Sequence, residues 1–184
     1  MSGSAHAAPR LSAGAILLIE LALALGGFAI GTSEFSIMGL MPNVAQDLGV
    51  SEPQVGHVIS SYALGVVVGA PVLALLGSRL LRKHLLLLLM GVFAVGNLAS
   101  ALAPDYLTLM MFRFFAGLPH GAYFGVAMLV AASMAAPHKR AKAVSRVLMG
   151  LSVAILIGNP LATWLGQSVS WRYAFALVLS LIHI

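Results

Sequence analysis

The chain has no cysteine and very little charge. Absence of cysteine from 184 residues excludes a disulfide framework and any thiolate metal site. Charged residues make up 8% of the sequence, where a soluble domain carries about 25%. Only five residues are acidic. No His-x-x-x-His pair, paired acidic motif or nucleophile beside a base is present, so the sequence reads as neither a metal centre nor an enzyme. The net charge is +5, but the basic residues fall between apolar runs and not on one polar face. That pattern excludes a nucleic-acid surface.

What remains is apolar. Hydrophobic residues account for 60% of the chain, and the mean hydropathy is +1.01. A water-soluble core cannot absorb that much apolar surface, so the reading is an all-α integral membrane protein in a lipid bilayer. A span needs about 20 apolar residues. Six segments qualify or begin to, at 13–41, 54–77, 84–103, 107–133, 143–167 and 171–184. The sixth is too short to cross, and residues 1–12 form a polar tail. The first run is too long for a signal-peptide core and is followed by further spans, so no cleaved signal is expected. Short connectors make consecutive helices antiparallel neighbours.

Basic residues set the orientation. Arg10 precedes span one. Arg79, Arg82 and Lys83 lie between spans two and three. Lys139, Arg140, Lys142 and Arg146 lie between four and five. The alternate connectors hold Asp47, Glu52 and Asp105, with Arg172 as their only basic residue. The N-terminus is expected on the cytoplasmic side.

Gly69-Ala70-Pro71 with Leu76-Gly77 in span two is echoed by Gly158-Asn159-Pro160 with Leu165-Gly166 in span five. The echo predicts two three-helix units. Three is odd, so the second unit is inverted relative to the first, as in secondary transporters.

Two opposite charges interrupt the apolar runs. Glu34 lies about 10 Å from the outer end of span one, and Arg113 about 9 Å into span four, at the helical rise. They can therefore share one level and pair. Ionisable groups at bilayer depth are costly and mark partners or water-filled pathways. Two readings stand: a proton-coupling or substrate-contacting pair, and a static pair that orders the bundle. Glu20 and Gly27 share the stripe of Glu34. Glu20 is expected to snorkel into the interface. His120 lies seven residues from Arg113; it is a proton-relay candidate or a packing histidine. Asn97, Asn159 and His57 are weaker candidates. Gly117, Gly121 and Gly125, with Gly65 and Gly69, form small-xxx-small steps for close helix packing. Pro71, Pro119 and Pro160 are expected to kink their helices.

The stretch Gly31-Thr32-Ser33-Glu34-Phe35-Ser36-Ile37-Met38-Gly39-Leu40-Met41-Pro42 resembles the first-span motif of drug:proton antiporters of the arabinose-efflux and chloramphenicol-resistance group. Arg113-Phe114-Phe115-Ala116-Gly117-Leu118-Pro119-His120-Gly121-Ala122 resembles that group's fourth-span motif. Gly158-Asn159-Pro160-Leu161-Ala162-Thr163-Trp164 resembles a divergent fifth-span antiporter motif, carried by Gly158 and Pro160. The chain thus resembles the N-terminal half of a major facilitator superfamily carrier.

The resemblance implies a six-helix half built from two inverted three-helix repeats, with the sixth helix truncated. It implies proton-coupled efflux of a small molecule, of drug or sugar class, by alternating access. A proton gradient would drive transport without a cofactor, and the missing C-terminal six-helix half would be the partner. It places the protein in the bacterial inner membrane. It assigns proton coupling or substrate contact to Glu34, Arg113 and His120, and a cytoplasmic loop motif to Arg79, Arg82 and Lys83. Ser78 stands where that motif carries Asp, so its usual gating salt bridge is not expected. Ser180 to Ile184 looks unlike a continuing sixth span, and the chain is therefore read as a fragment. A half-size carrier acting as a dimer and a non-functional truncated relic are the alternatives.

Overall fold

A computed structural model describes residues 12–182. The polar tail through residue 11 and the last two residues lie outside them. The elements are α1 (Ala13–Gly39), α2 (Met41–Leu48), α3 (Glu52–Gly77), α4 (Arg82–Ala101), α5 (Tyr106–Met134), α6 (Arg140–Val153), α7 (Asn159–Ser168) and α8 (Trp171–Ile182). A 3₁₀ turn (Pro137–Lys139) precedes α6, and a π segment (Ala154–Gly158) joins α6 to α7. Five helices are long and apolar enough to cross a membrane: α1, α3, α4, α5 and the continuous run Pro137–Ser168.

Helix ends follow local chemistry. Ser51 caps α3 in a capping box with Gln54. The Asp105 carboxylate accepts from the Thr108 amide at 2.9 Å and caps α5. Those hydrogen bonds hold its carboxyl below the usual range. Gly49 closes α2 at φ +64°, a left-handed position that glycine adopts without strain.

The structure adds two features to the sequence reading. The break between spans one and two holds a helix, α2, whose Pro42 lies in the first turn where no donor is needed. Span five is a continuous helical run from Pro137 to Ser168, interrupted by its π segment just before Pro160. Proline cannot donate to the preceding turn, and the wider π turn accommodates that loss within the span.

Packing follows the internal echo. α3 lies along α5, as α6 and α7 lie along α1. α4 packs on α5 as α8 packs on α1, and α4 meets α8. Exchanging α1, α3 and α4 for α5, α6–α7 and α8 leaves this pattern unchanged, as an inverted repeat requires. The close contacts use small residues. A Cβ on Gly65 would overlap the Phe114 carbonyl oxygen, and one on Gly117 would overlap that of Tyr62. Gly69 meets the Leu118 backbone, and Gly150 meets that of Ala24. Gly125 is different, because nothing lies within 4 Å of its added Cβ. Leu64, Val67, Leu75, Leu156 and Trp164 remain exposed. In lipid such a surface carries no penalty.

At the end of the bundle away from the Arg79–Lys83 loop, Asp47 accepts hydrogen bonds from Arg172 Nη1 and, at 2.9 Å, from Trp171 Nε1. Arg172 also donates to the Ala103 carbonyl at 2.9 Å and stacks on Trp171. This clamp joins α2, the α4–α5 turn and α8. The Arg172 and Trp171 hydrogen bonds hold the Asp47 carboxyl below its usual range. A depressed carboxylate contributes stability above its unfolded pKa, and that contribution is lost as pH falls through the folded value. Asp47 is 46% exposed, so Asp47→Asn is expected to cost under about 1 kcal/mol at neutral pH. Thermal melts of parent and variant should differ at pH 7, begin to draw together as the pH falls through about 4, and meet only below the lowered folded value.

Candidate functional site

The site is the buried polar cluster between α1, α3, α4 and α5. Arg113 on α5 is fully buried. Its Nη1 donates to the Ser33 hydroxyl at 3.0 Å, and its Nη2 donates to the Ser33 carbonyl at 3.2 Å. Its planar head lies 4.2 Å from the Tyr62 ring centroid and 5.0 Å from that of Phe175. A guanidinium is weakly hydrated and stacks on aromatic faces. Those faces and the Ser33 oxygens therefore replace part of its lost water. Among the described residues, its Nε has no hydrogen-bond partner, and neither does the buried Ser36 Oγ.

Behind Ser33 lies Asn97 of α4. The Ser33 hydroxyl donates to Asn97 Oδ1. Asn97 Nδ2 donates to the Phe93 carbonyl at 2.8 Å, and this fixes which end of the amide faces Ser33. The polar chain runs from Arg113 through Ser33 to Asn97 and spans three helices.

Glu34 faces His120. The carboxylate lies 3.8 Å from His120 Nδ1, with side chains 25% and 13% exposed. The same Nδ1 is 3.1 Å from the Tyr62 hydroxyl. Tyr62 thus touches both groups: its ring lies against Arg113 and its hydroxyl against His120.

The expected Glu34–Arg113 ion pair is not formed. Among the described residues the ion pairs are Glu20–Arg146 and Asp47–Arg172; the Glu34–His120 contact is one only when the imidazole is protonated. Arg113 does reach the turn of α1 that carries Glu34, but it bonds the neighbouring residue. Adjacent helical residues point about 100° apart, so Ser33 and Glu34 cannot share one partner head-on. The expectation that Glu20 snorkels is also corrected. Its side chain is 3% exposed, and it pairs with Arg146 of α6 at 2.5 Å. Arg146 therefore belongs to a helix and an ion pair, not to a connector.

The remaining candidates are dispersed. Arg82 opens α4 and donates to Ser133 Oγ at 3.3 Å. Arg79 and Lys83 are exposed. Ser78 bonds the Leu75 carbonyl within its own helix end. Gly158 lies against Thr32 and Phe28 of α1. Asn159 accepts from Thr163 at 3.3 Å. His57 is exposed beside Tyr106. Sequence reasoning missed Ser33 and Tyr62 as members of the site. Tyr62 carried a usable signal, since it precedes the Gly65–Gly69 step that packs on α5. A groove of about 850 Å³ between α4 and α5 is lined by Leu87, Val92, Val95, Phe112 and Phe115 among others. It contains no polar side chain to orient a substrate.

The architecture and the site define a class: a polytopic helical membrane half with an inverted repeat and a buried arginine cluster. The family model described as Major Facilitator Superfamily matches residues 23–183. The chain belongs to the Major Facilitator Superfamily, a family of transporters and not of enzymes. It is 52% identical to the inner membrane transport protein YdhP of Escherichia coli (strain K12), over 84% of this chain and 40% of that protein. It is 35% identical to the chloramphenicol resistance protein of Streptomyces lividans, over 83% of this chain and 39% of that protein. The chain spans about 40% of the length of these relatives. Its fold is similar to the inward-open xylose transporter XylE from E. coli, with TM-score 0.79 and 19% identity over 91% of this chain and 46% of that one.

Proposed function

We propose that the full-length carrier exports a small molecule across the bacterial inner membrane by alternating access, driven by inward proton flow. Residues 13–184 would be its N-terminal transmembrane half, with the N-terminus cytoplasmic, and a C-terminal six-helix half would complete the pathway. The observation that carries this reading is the unequal burial of the two charges. Glu34 is partly exposed and touches a second titratable group, His120, while Arg113 is sealed. A carboxylate with an open face can exchange protons when water or substrate reaches it; a sealed guanidinium supplies a fixed positive field beside it. The relative named for chloramphenicol resistance supports efflux of a drug-class molecule, and the substrate would sit between the two halves.

Glu34→Gln removes the exchangeable proton and keeps the shape. In the full-length carrier, reconstituted in vesicles with an imposed proton gradient, it is expected to lower gradient-driven efflux at least about tenfold, the loss associated with roughly 1.4 kcal/mol of coupling. Efflux that stays proton-driven in this variant would falsify the coupling role.

A further inference from the structure

We propose that Ser33 and Asn97 are positioning residues that hold the Arg113 guanidinium off the Glu34 carboxylate, and so set the pH at which that carboxylate takes up its proton. The proposal deepens the coupling reading at the same site. Its transport consequence rests on that reading; its geometric content does not.

Arg113 reaches the right turn of α1 and yet forms no ion pair with Glu34. Two of its N–H groups are committed to one residue, the Ser33 hydroxyl and carbonyl. The Ser33 hydroxyl accepts from Arg113 and directs its own hydrogen to Asn97. Asn97 in turn is locked by the Phe93 carbonyl. The donor order Arg113 to Ser33 to Asn97 is therefore directional, and every link is buried. Removal of the Ser33 hydroxyl takes the acceptor of Nη1 and leaves Nη2 on the Ser33 carbonyl, and Glu34 offers a charged acceptor on the same turn of α1. Charge-assisted bonds are roughly twice as strong as neutral ones, so the unpaired Nη1 turns toward the carboxylate.

Other charges near Glu34 are accounted for. From α5 it meets His120 and the field of Arg113; from α3, Tyr62 through His120. α4 contributes the uncharged Asn97. Arg146 of α6 is paired with Glu20, and Arg172 of α8 with Asp47. Arg113 is the group whose movement would change the field most, being a full charge on the facing helix α5.

The test reads Glu34 directly. Infrared difference spectra of the purified full-length carrier, titrated by pH, contain a carboxyl band assigned to Glu34 by its loss in Glu34→Gln. In Ser33→Ala the midpoint of that band is expected to move about one pH unit to the acid side, as for a carboxylate gaining an opposite charge. Asn97→Ala is expected to move it in the same direction by less, because the Ser33 oxygen remains. Ser33→Thr keeps the hydroxyl and should restore the parent midpoint, which a loss of packing alone would not do. An unmoved midpoint, or one moved to the alkaline side, in folded Ser33→Ala or Asn97→Ala protein overturns the proposal. The spectrum reports proton uptake whether or not transport uses it. Failure of the positioning role is therefore distinct from failure of the coupling reading, which Glu34→Gln efflux decides.

Discussion

Gly117→Ala is expected to prevent recovery of a folded, monodisperse carrier. The added methyl would occupy the Tyr62 carbonyl oxygen's space, with the Val66 amide nitrogen also within contact. Both are backbone atoms of α3, so no rotamer change relieves the overlap. α3 and α5 must separate, which also opens the reciprocal contact of Gly65 with Phe114. Overpacking of a close interface costs about 3 kcal/mol at the upper end of its usual range, a large share of a marginal stability. Separation also draws Tyr62 away from Arg113 and His120, so residual protein should transport poorly. Gly125→Ala, eight residues along the same helix, meets open space and is expected to be tolerated. Fluorescence-detected size exclusion of the two variants side by side provides the measurement. Equal recovery of both would show that the α3–α5 approach is looser than described.

Arg113→Lys should preserve the charge and lose the function. An ammonium cannot make the two-point contact to the Ser33 hydroxyl and carbonyl, nor stack as a plane between Tyr62 and Phe175. It is also more strongly hydrated, so burial costs it more. We expect efflux at matched protein amounts to fall at least about tenfold, with Arg113→Met no better despite its apolar fit. The comparison separates charge from shape. A lysine variant with parental efflux would mean that positive charge alone suffices and that the Ser33 contact is incidental.

Both predictions depend on azimuth, which is where sequence reasoning stopped. Counting residues from the helix ends gave the level of Glu34 and Arg113 in the bilayer, because rise per residue is constant. It could not say which side chain of α1 meets Arg113. One residue is a 100° turn, and the rotation of each helix is set by its packing against the others. That is why the arginine meets Ser33 and the glutamate meets His120. Glu20 failed for the same reason. Its depth suggested an interfacial residue, and its partner, Arg146, lies 126 positions away.

The composition and its spacing determined that this chain is a helical membrane protein and that two of its units repeat. Those properties depend on transfer of apolar residues to lipid and on glycine and proline at recurrent positions, both of which are local. The inverted exchange of helix contacts, the sealed guanidinium and the chain from Arg113 to Asn97 were decided only in three dimensions. Each needs side chains from helices far apart in sequence to meet at one depth and one rotation. Hydrogen-bond satisfaction in a buried site depends on that meeting and is written in no single segment.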